Sequence, residues 1–169
     1  MVRLIGAVLV AAGGALLGFQ AAAGLRRQVR AVRRTEAGLT LLERELELNA
    51  PPLPYLLKWG AAHSDGPAKT LFQGCVRGLD NLDREDFSAL WRRLVGEQDW
   101  LPPEGQAILS PLGDILGRYE ADRQREALSA ARRRMEELAV RLEADSRRQG
   151  RVYQALGLSG GAFLVILLL

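Results

Sequence analysis

Two long stretches without a single charge, one near each end of the chain, constrain its architecture more than any other feature. From Leu4 to Leu25 no charged residue occurs, and only Gln20 is distinctly polar. From Val152 to Leu169 charge is absent again, and the run closes on Val165-Ile166-Leu167-Leu168-Leu169. At ~1.5 Å of rise per helical residue, each stretch is about long enough to cross a hydrocarbon layer of ~30 Å, the second with little tilt. The expectation is two transmembrane helices, at residues 1–25 and 152–169, flanking a soluble domain at 26–151. The lipid bilayer is then the first expected partner.

Charge is confined to the middle. All 20 acidic residues and all but Arg3 of the 23 basic ones lie between Arg26 and Arg151. The two signs are interleaved, whereas a nucleic-acid-binding domain gathers positive charge on one face, so no nucleic-acid partner is expected. Arg26, Arg27, Arg30, Arg33 and Arg34 follow the first apolar run, and Arg147, Arg148 and Arg151 precede the second. Both clusters resist translocation, which places the middle domain in the cytosol and the protein in the cell membrane. The alternative is a secretory signal cleaved near Ala21-Ala22-Ala23. It suits the sequence less well, because the apolar run is longer than a signal core and five arginines follow it at once.

The middle reads as all-α: apolar and polar residues nowhere alternate over a strand's length. No proline interrupts Met1 to Ala50, and Leu25, Val29, Val32, Leu39, Leu42 and Leu46 recur at helical spacing. One helix is expected to leave the lipid and run to about Leu48, capped by Asn49 and ended by Pro51, Pro52 and Pro54. Shorter helices follow. One covers Leu53 to about Ala62, and another starts at Ser64 or Asp65 with Pro67 in its first turn. A third is capped by Asp83 and carries Phe87 to Val95, and a fourth is opened by Pro102-Pro103-Glu104. A long helix from about Leu116 to Arg151 carries Leu128, Ala131, Met135, Leu138 and Leu142 on one side. The expected architecture is a cytosolic helical bundle on a long helical stalk, the two extended helices running antiparallel.

Glycine pairs four apart suggest close helix packing. Gly14 and Gly18 in the first apolar run, and Gly157 and Gly161 in the second, form grooves through which membrane helices pair, within the chain or as a homo-oligomer. Gly74–Gly78 and Gly113–Gly117 lie in the soluble part. There Gly costs ~1 kcal/mol against Ala in a helix, so close crossing or, for the second pair, a break ahead of the long helix must offset the loss. His63, the only histidine, precedes Ser64-Asp65 and suits a capping or surface role. Cys75, the only cysteine, lies on an apolar face beside Phe72 and Leu79 as a small core residue. With no phosphate-binding loop, HExxH or nucleophile elbow, no enzyme activity, metal or cofactor is expected.

Four segments resemble the stage III sporulation protein AB family of endospore-forming bacteria. They are Arg3-Leu4-Ile5-Gly6-Ala7 with Gly18-Phe19; Leu42-Glu43-Arg44-Glu45-Leu46 before Pro52-Leu53; Leu112-Gly113-Asp114-Ile115-Leu116-Gly117-Arg118 with Gln124; and Leu156-Gly157 with Gly160 and the terminal leucines. The third matches a Gly-x-x-Leu-Gly-x-x-Asp-x-x-x-Gln pattern, with Glu120 at the acidic position. The resemblance implies similarity to the cytosolic domains of the F-type platform protein of type II secretion. It also implies a place in the channel apparatus between mother cell and forespore, with a dedicated cytosolic ATPase and other stage III membrane proteins as partners, the domain facing the mother-cell side. On that reading Gly113, Leu116, Gly117, Arg118, Glu120 and Gln124 are the residues expected to meet a partner or to lock a helix junction. A membrane-anchored coiled-coil scaffold or signalling protein is the alternative.

Overall fold

A computed structural model describes the backbone of residues 2–81 and 85–168 and the side chains of 23–80 and 85–149. The packing expected of Gly14, Gly18, Gly157 and Gly161 and the side chains of nearly all of both apolar runs lie outside the described residues. Among the described residues no helix is long and apolar enough to cross a membrane. By its contacts the chain divides into two units, Met1–Arg27 with Arg141–Leu169, and Gln28–Val140. The second unit holds all the short helices and the packed interior.

Every described element is helical. In order they are α1 (Val2–Asn49), α2 (Leu53–His63), α3 (Gly66–Gly78), a 3-10 turn (Leu79–Asn81), α4 (Phe87–Gly96), α5 (Pro103–Leu109), a second 3-10 turn (Ser110–Asp114) and α6 (Ala121–Leu168). Proline sets most of the boundaries. Pro52 and Pro102 occupy the N-cap positions of α2 and α5 in extended geometry, and Pro54, Pro67 and Pro103 fall in first turns, where no intrahelical donor is needed. The helix from Phe87 has Asp86 at its N-cap position (φ −60°, ψ 145°) rather than the expected Asp83.

The end of α1 differs from expectation. Asn49 stays within the helix and donates Nδ2–H to Glu45 Oε1 at 2.8 Å. Ala50 instead takes the left-handed position that ends the helix (φ 41°) and returns its N–H to the Leu46 carbonyl. Pro51 follows and cannot continue the helix, so the turn settles on an alanine where glycine would be relaxed.

The core forms where the apolar sides of α1 and α6 meet the short helices. α1 contributes Val32, Leu39, Leu42 and Leu46, and α6 contributes Leu128, Ala131, Met135, Leu138 and Ala139. Arg132 Nε reaches Glu43 Oε2 at 2.9 Å and Arg125 reaches Glu47 at 3.7 Å, so within this unit the two helices run antiparallel. Leu56, Leu57, Phe72, Cys75, Leu90, Trp91 and Leu109 complete the interior. Burial pushes the Cys75 thiol up to about 12, because the uncharged interior disfavours the thiolate.

Four helices approach closely through glycines. A Cβ on Gly38 of α1 would collide with the Cβ of Ala68 on α3, and one on Gly60 of α2 would stand 2.6 Å from Leu42 Cδ2 on α1. Gly74 and Gly78 of α3 face Leu94 and Leu90 of α4, where added Cβ atoms would fall 3.0 and 2.5 Å away. Close crossing is therefore the reason for the Gly74–Gly78 pair. His63 sits exposed at the end of α2, stacks on Trp59 with ring centroids 4.5 Å apart, and lies 2.8 Å through Nδ1 from the Trp59 carbonyl. A carbonyl only accepts, so Nδ1 carries the proton, and the ring serves the last turn of its helix as a cap.

Candidate functional site

Residues 112–124 link the second 3-10 turn to α6, and the partner-contact residues expected from sequence all fall in this junction. They divide by role. Gly113 lies against Trp91, where an added Cβ would stand 2.8 Å from Cδ1 and 2.9 Å from Cβ of that tryptophan. Trp91 is fully buried and donates Nε1–H to the Leu109 carbonyl at 2.8 Å, so one side chain ties α4 to the end of α5. Leu116 is buried with it. Gly113 is thus a packing glycine.

Gly117 provides the break. Its φ of +75° lies in the left-handed region, and a Cβ there would also stand 2.5 Å from Leu53 Cδ2 at the start of α2. Glycine alone satisfies both conditions. The chain turns at this point and α6 begins four residues later, so the long helix starts at Ala121 rather than near Leu116. The Glu120 carbonyl accepts from Arg123 and Gln124 N–H to open the helix.

Gln124 closes the junction. Its Oε1 accepts the Gly117 N–H at 3.0 Å, and its Nε2 donates to the Tyr119 carbonyl. One planar amide therefore satisfies a donor and an acceptor of the same turn, which a carboxylate could not do. Arg118 and Glu120 are exposed. Arg118 reaches Asp86 at 3.5 Å across a solvated gap, an ion pair of small worth. Between them Tyr119 is 45% exposed, with the Arg123 guanidinium 4.8 Å from its ring centroid.

Sequence reasoning missed a polar lock beside this junction. Ser88, buried near the start of α4, donates its hydroxyl proton to Asp114 Oδ1 and accepts a hydrogen bond from Arg92 Nη2 at 2.8 Å. Arg92 also donates Nε–H to the Ser88 carbonyl. The three residues clamp α4 to the second 3-10 turn. No sequence signal joins Ser88 to Asp114, since nothing but the fold brings them together. The exposed apolar side chains Leu48, Tyr55 and Tyr119 carry no sequence signal of their exposure either. Among the described residues no three His, Cys, Asp or Glu side chains gather as metal ligands.

Glycine-packed helices around a buried core, with a locked turn ahead of the long helix, define an all-helical bundle. The profile of one family, the stage III sporulation protein AB family, matches residues 3–169, and the chain belongs to that family. It is similar to stage III sporulation protein AB of Bacillus subtilis (strain 168), with 25% identity over 175 residues that cover 100% of both chains. Its fold matches a solved structure of stage III sporulation protein AB (SpoIIIAB) with a TM-score of 0.61 and 22% identity, over 72% of this chain and 97% of that one. Family membership supports a role related to sporulation.

Proposed function

We propose that this chain is a non-enzymatic platform subunit of a secretion-like channel complex between mother cell and forespore. Helices at 1–25 and 152–169 seat it in the cell membrane, and residues 26–151 lie on the mother-cell side, where they engage a cytosolic ATPase and other stage III membrane proteins. The family match over residues 3–169 carries this reading. The confinement of charge between two uncharged runs supports it, because a chain so patterned gains most by leaving both ends in lipid. At the α6 junction, Arg118, Tyr119 and Glu120 are the side chains offered to the partner. Gly113, Leu116, Gly117 and Gln124 hold them on a fixed turn. In the two lipid-seated helices, Gly14–Gly18 and Gly157–Gly161 are the close-packing positions.

Topology is the first test. Cys75 is replaced by Ala and a single cysteine is placed at exposed Lys69, on α3. Intact sporulating cells are then treated with a membrane-impermeant maleimide. Protection in intact cells with labelling after lysis supports a cytosolic domain, and labelling in intact cells overturns it. The second test is co-purification with the ATPase. Arg118→Glu with Tyr119→Ala is expected to lower recovery at least tenfold while the thermal transition stays within a few degrees. Unchanged recovery removes the junction from the partner surface.

A further inference from the structure

The arginines at the start of the charged segment form a geometric unit that partner docking does not use. α1 is one continuous helix through this region. At ~100° per residue, Arg26, Arg27, Arg30, Arg33 and Arg34 fall within an arc of ~120°. The buried side chains of the same helix, Val32, Thr35, Leu39 and Leu42, lie on the opposite side. Arg33 pairs with Glu36, the first acidic residue of the chain, at 3.5 Å. Arg26, Arg27, Arg30 and Arg34 are exposed and have no ion pair among the described residues. Arg93, Arg118, Arg125 and Arg132 each reach a carboxylate, whereas Arg44, Arg77, Arg133 and Arg134 are exposed without one among the described residues. What sets the α1 arginines apart is their grouping on one side of the helix directly after the uncharged run.

We propose that this arginine face of α1 binds the phosphate headgroups of anionic phospholipids. The proposal rests on the membrane-anchored reading, since Arg26 follows directly on the uncharged run that ends at Leu25. With Leu25 at the edge of the hydrocarbon, Arg30 stands ~7.5 Å and Arg34 ~13.5 Å further along the axis. A headgroup layer is ~5–8 Å deep on each side, and charge is felt for a further ~8 Å at physiological salt. All four guanidinium groups therefore act on the anionic surface. The guanidinium fork matches a phosphodiester in shape as well as in charge. Four unneutralised arginines on one side of a helix also attract lipid to that side only, which would fix the rotation of α1 about its axis.

The test uses the full chain reconstituted in phosphatidylcholine vesicles, with spin-labelled phosphatidylglycerol or phosphatidylcholine as the probe of lipid next to the protein. Carbonate extraction of the same vesicles reports separately whether the chain spans them. Phosphatidylglycerol is expected to be preferred at least fivefold, given about fivefold per arginine at the surface. The preference is expected to shrink at 1 M salt and to fall severalfold in the Arg26→Gln, Arg27→Gln, Arg30→Gln, Arg34→Gln variant, which keeps Arg147, Arg148 and Arg151. The corresponding four-lysine variant is expected to retain most of it. Equal association of the two lipids in carbonate-resistant protein overturns the proposal and leaves the membrane reading standing. A preference that is undiminished in the glutamine variant, or that free inorganic phosphate abolishes at matched ionic strength, overturns it as well. A charge-dependent preference in carbonate-extractable protein overturns the spans and, with them, the placement of these arginines at the headgroup layer. Should the glutamine variant fail to insert, the salt series on the native chain and the lysine variant still decide the matter.

Discussion

Replacing Gly117 with alanine tests how the junction is built, because the structure assigns that glycine two separate duties. The first is conformational: an L-residue at φ +75° carries a penalty of ~1–2 kcal/mol. The second is steric. The new Cβ would stand 2.5 Å from Leu53 Cδ2 and 3.3 Å from Leu53 Cβ. Overpacking of this kind costs ~1–3 kcal/mol, at the low end here because the colliding atom is the tip of a flexible side chain. The sum is ~2–3 kcal/mol. Urea unfolding followed by tryptophan fluorescence measures it well, since Trp59, Trp91 and Trp100 all lie within Gln28–Val140. With a urea dependence of ~1–3 kcal/mol per molar, the midpoint is expected to fall by about 1 M or more. Leu53→Ala separates the two duties. In that background Gly117→Ala is expected to cost only the conformational part, leaving a coupling of ~1 kcal/mol. A loss below ~0.5 kcal/mol for Gly117→Ala in the native background would refute the reasoning on both counts.

Other expectations rest on neighbouring contacts. Gln124→Glu keeps the acceptor for Gly117 N–H but sets a carboxylate against the Tyr119 carbonyl. It is expected to destabilise at pH 7 by at least as much as Gln124→Ala, each by about 1 kcal/mol in the same unfolding assay. Ala50→Gly relieves a left-handed alanine and is expected to raise stability by ~0.5–1 kcal/mol, where an ordinary Ala→Gly change lowers it. Gly38→Ala drives one Cβ into another, with a loss of ~2 kcal/mol or more that Ala68→Gly partly restores; absence of rescue would mean that the two positions do not touch. Cys75 ionises near 9.0 when exposed and near 12 in the fold. The unfolded chain therefore releases its proton first as pH rises, so stability is undiminished below about pH 9 and declines between 9 and 12. Cys75→Ala is expected to flatten that decline, and the native thiol is expected to react with maleimide at pH 7 only at the rate of opening.

How much of this fold is legible in the chain depends on the range of the interaction involved. The helical class, the boundaries at Pro52, Pro67 and Pro102–Pro103, and the apolar side of α6 through Leu128, Ala131, Met135 and Leu138 are all visible without a fold. Proline geometry and 3.6-residue periodicity act over one or two turns, so neither needs a tertiary partner. The family pattern also marks the junction, because Gly113, Leu116, Gly117 and Gln124 recur there at fixed spacing. What the pattern could not assign was the role of each residue.

That assignment belonged to the tertiary structure. A glycine reads alike in sequence whether it yields to an indole, as Gly113 does to Trp91, or turns the chain beside a distant leucine, as Gly117 does beside Leu53. The start of α6 shifted to Ala121 because Gln124 folds back on the turn ahead of it. Ala50 rather than Asn49 took the left-handed turn, since the Asn49 amide was already bound to Glu45. Ser88, Arg92 and Asp114 became one clamp only when α4 met the second 3-10 turn. The sequence by itself determined the local conformations and the placement of charge, because backbone sterics and solvation act on each segment where it stands. The tertiary structure decided which side chains were left to face outward at the junction, because that depends on which distant surfaces fill the space around them.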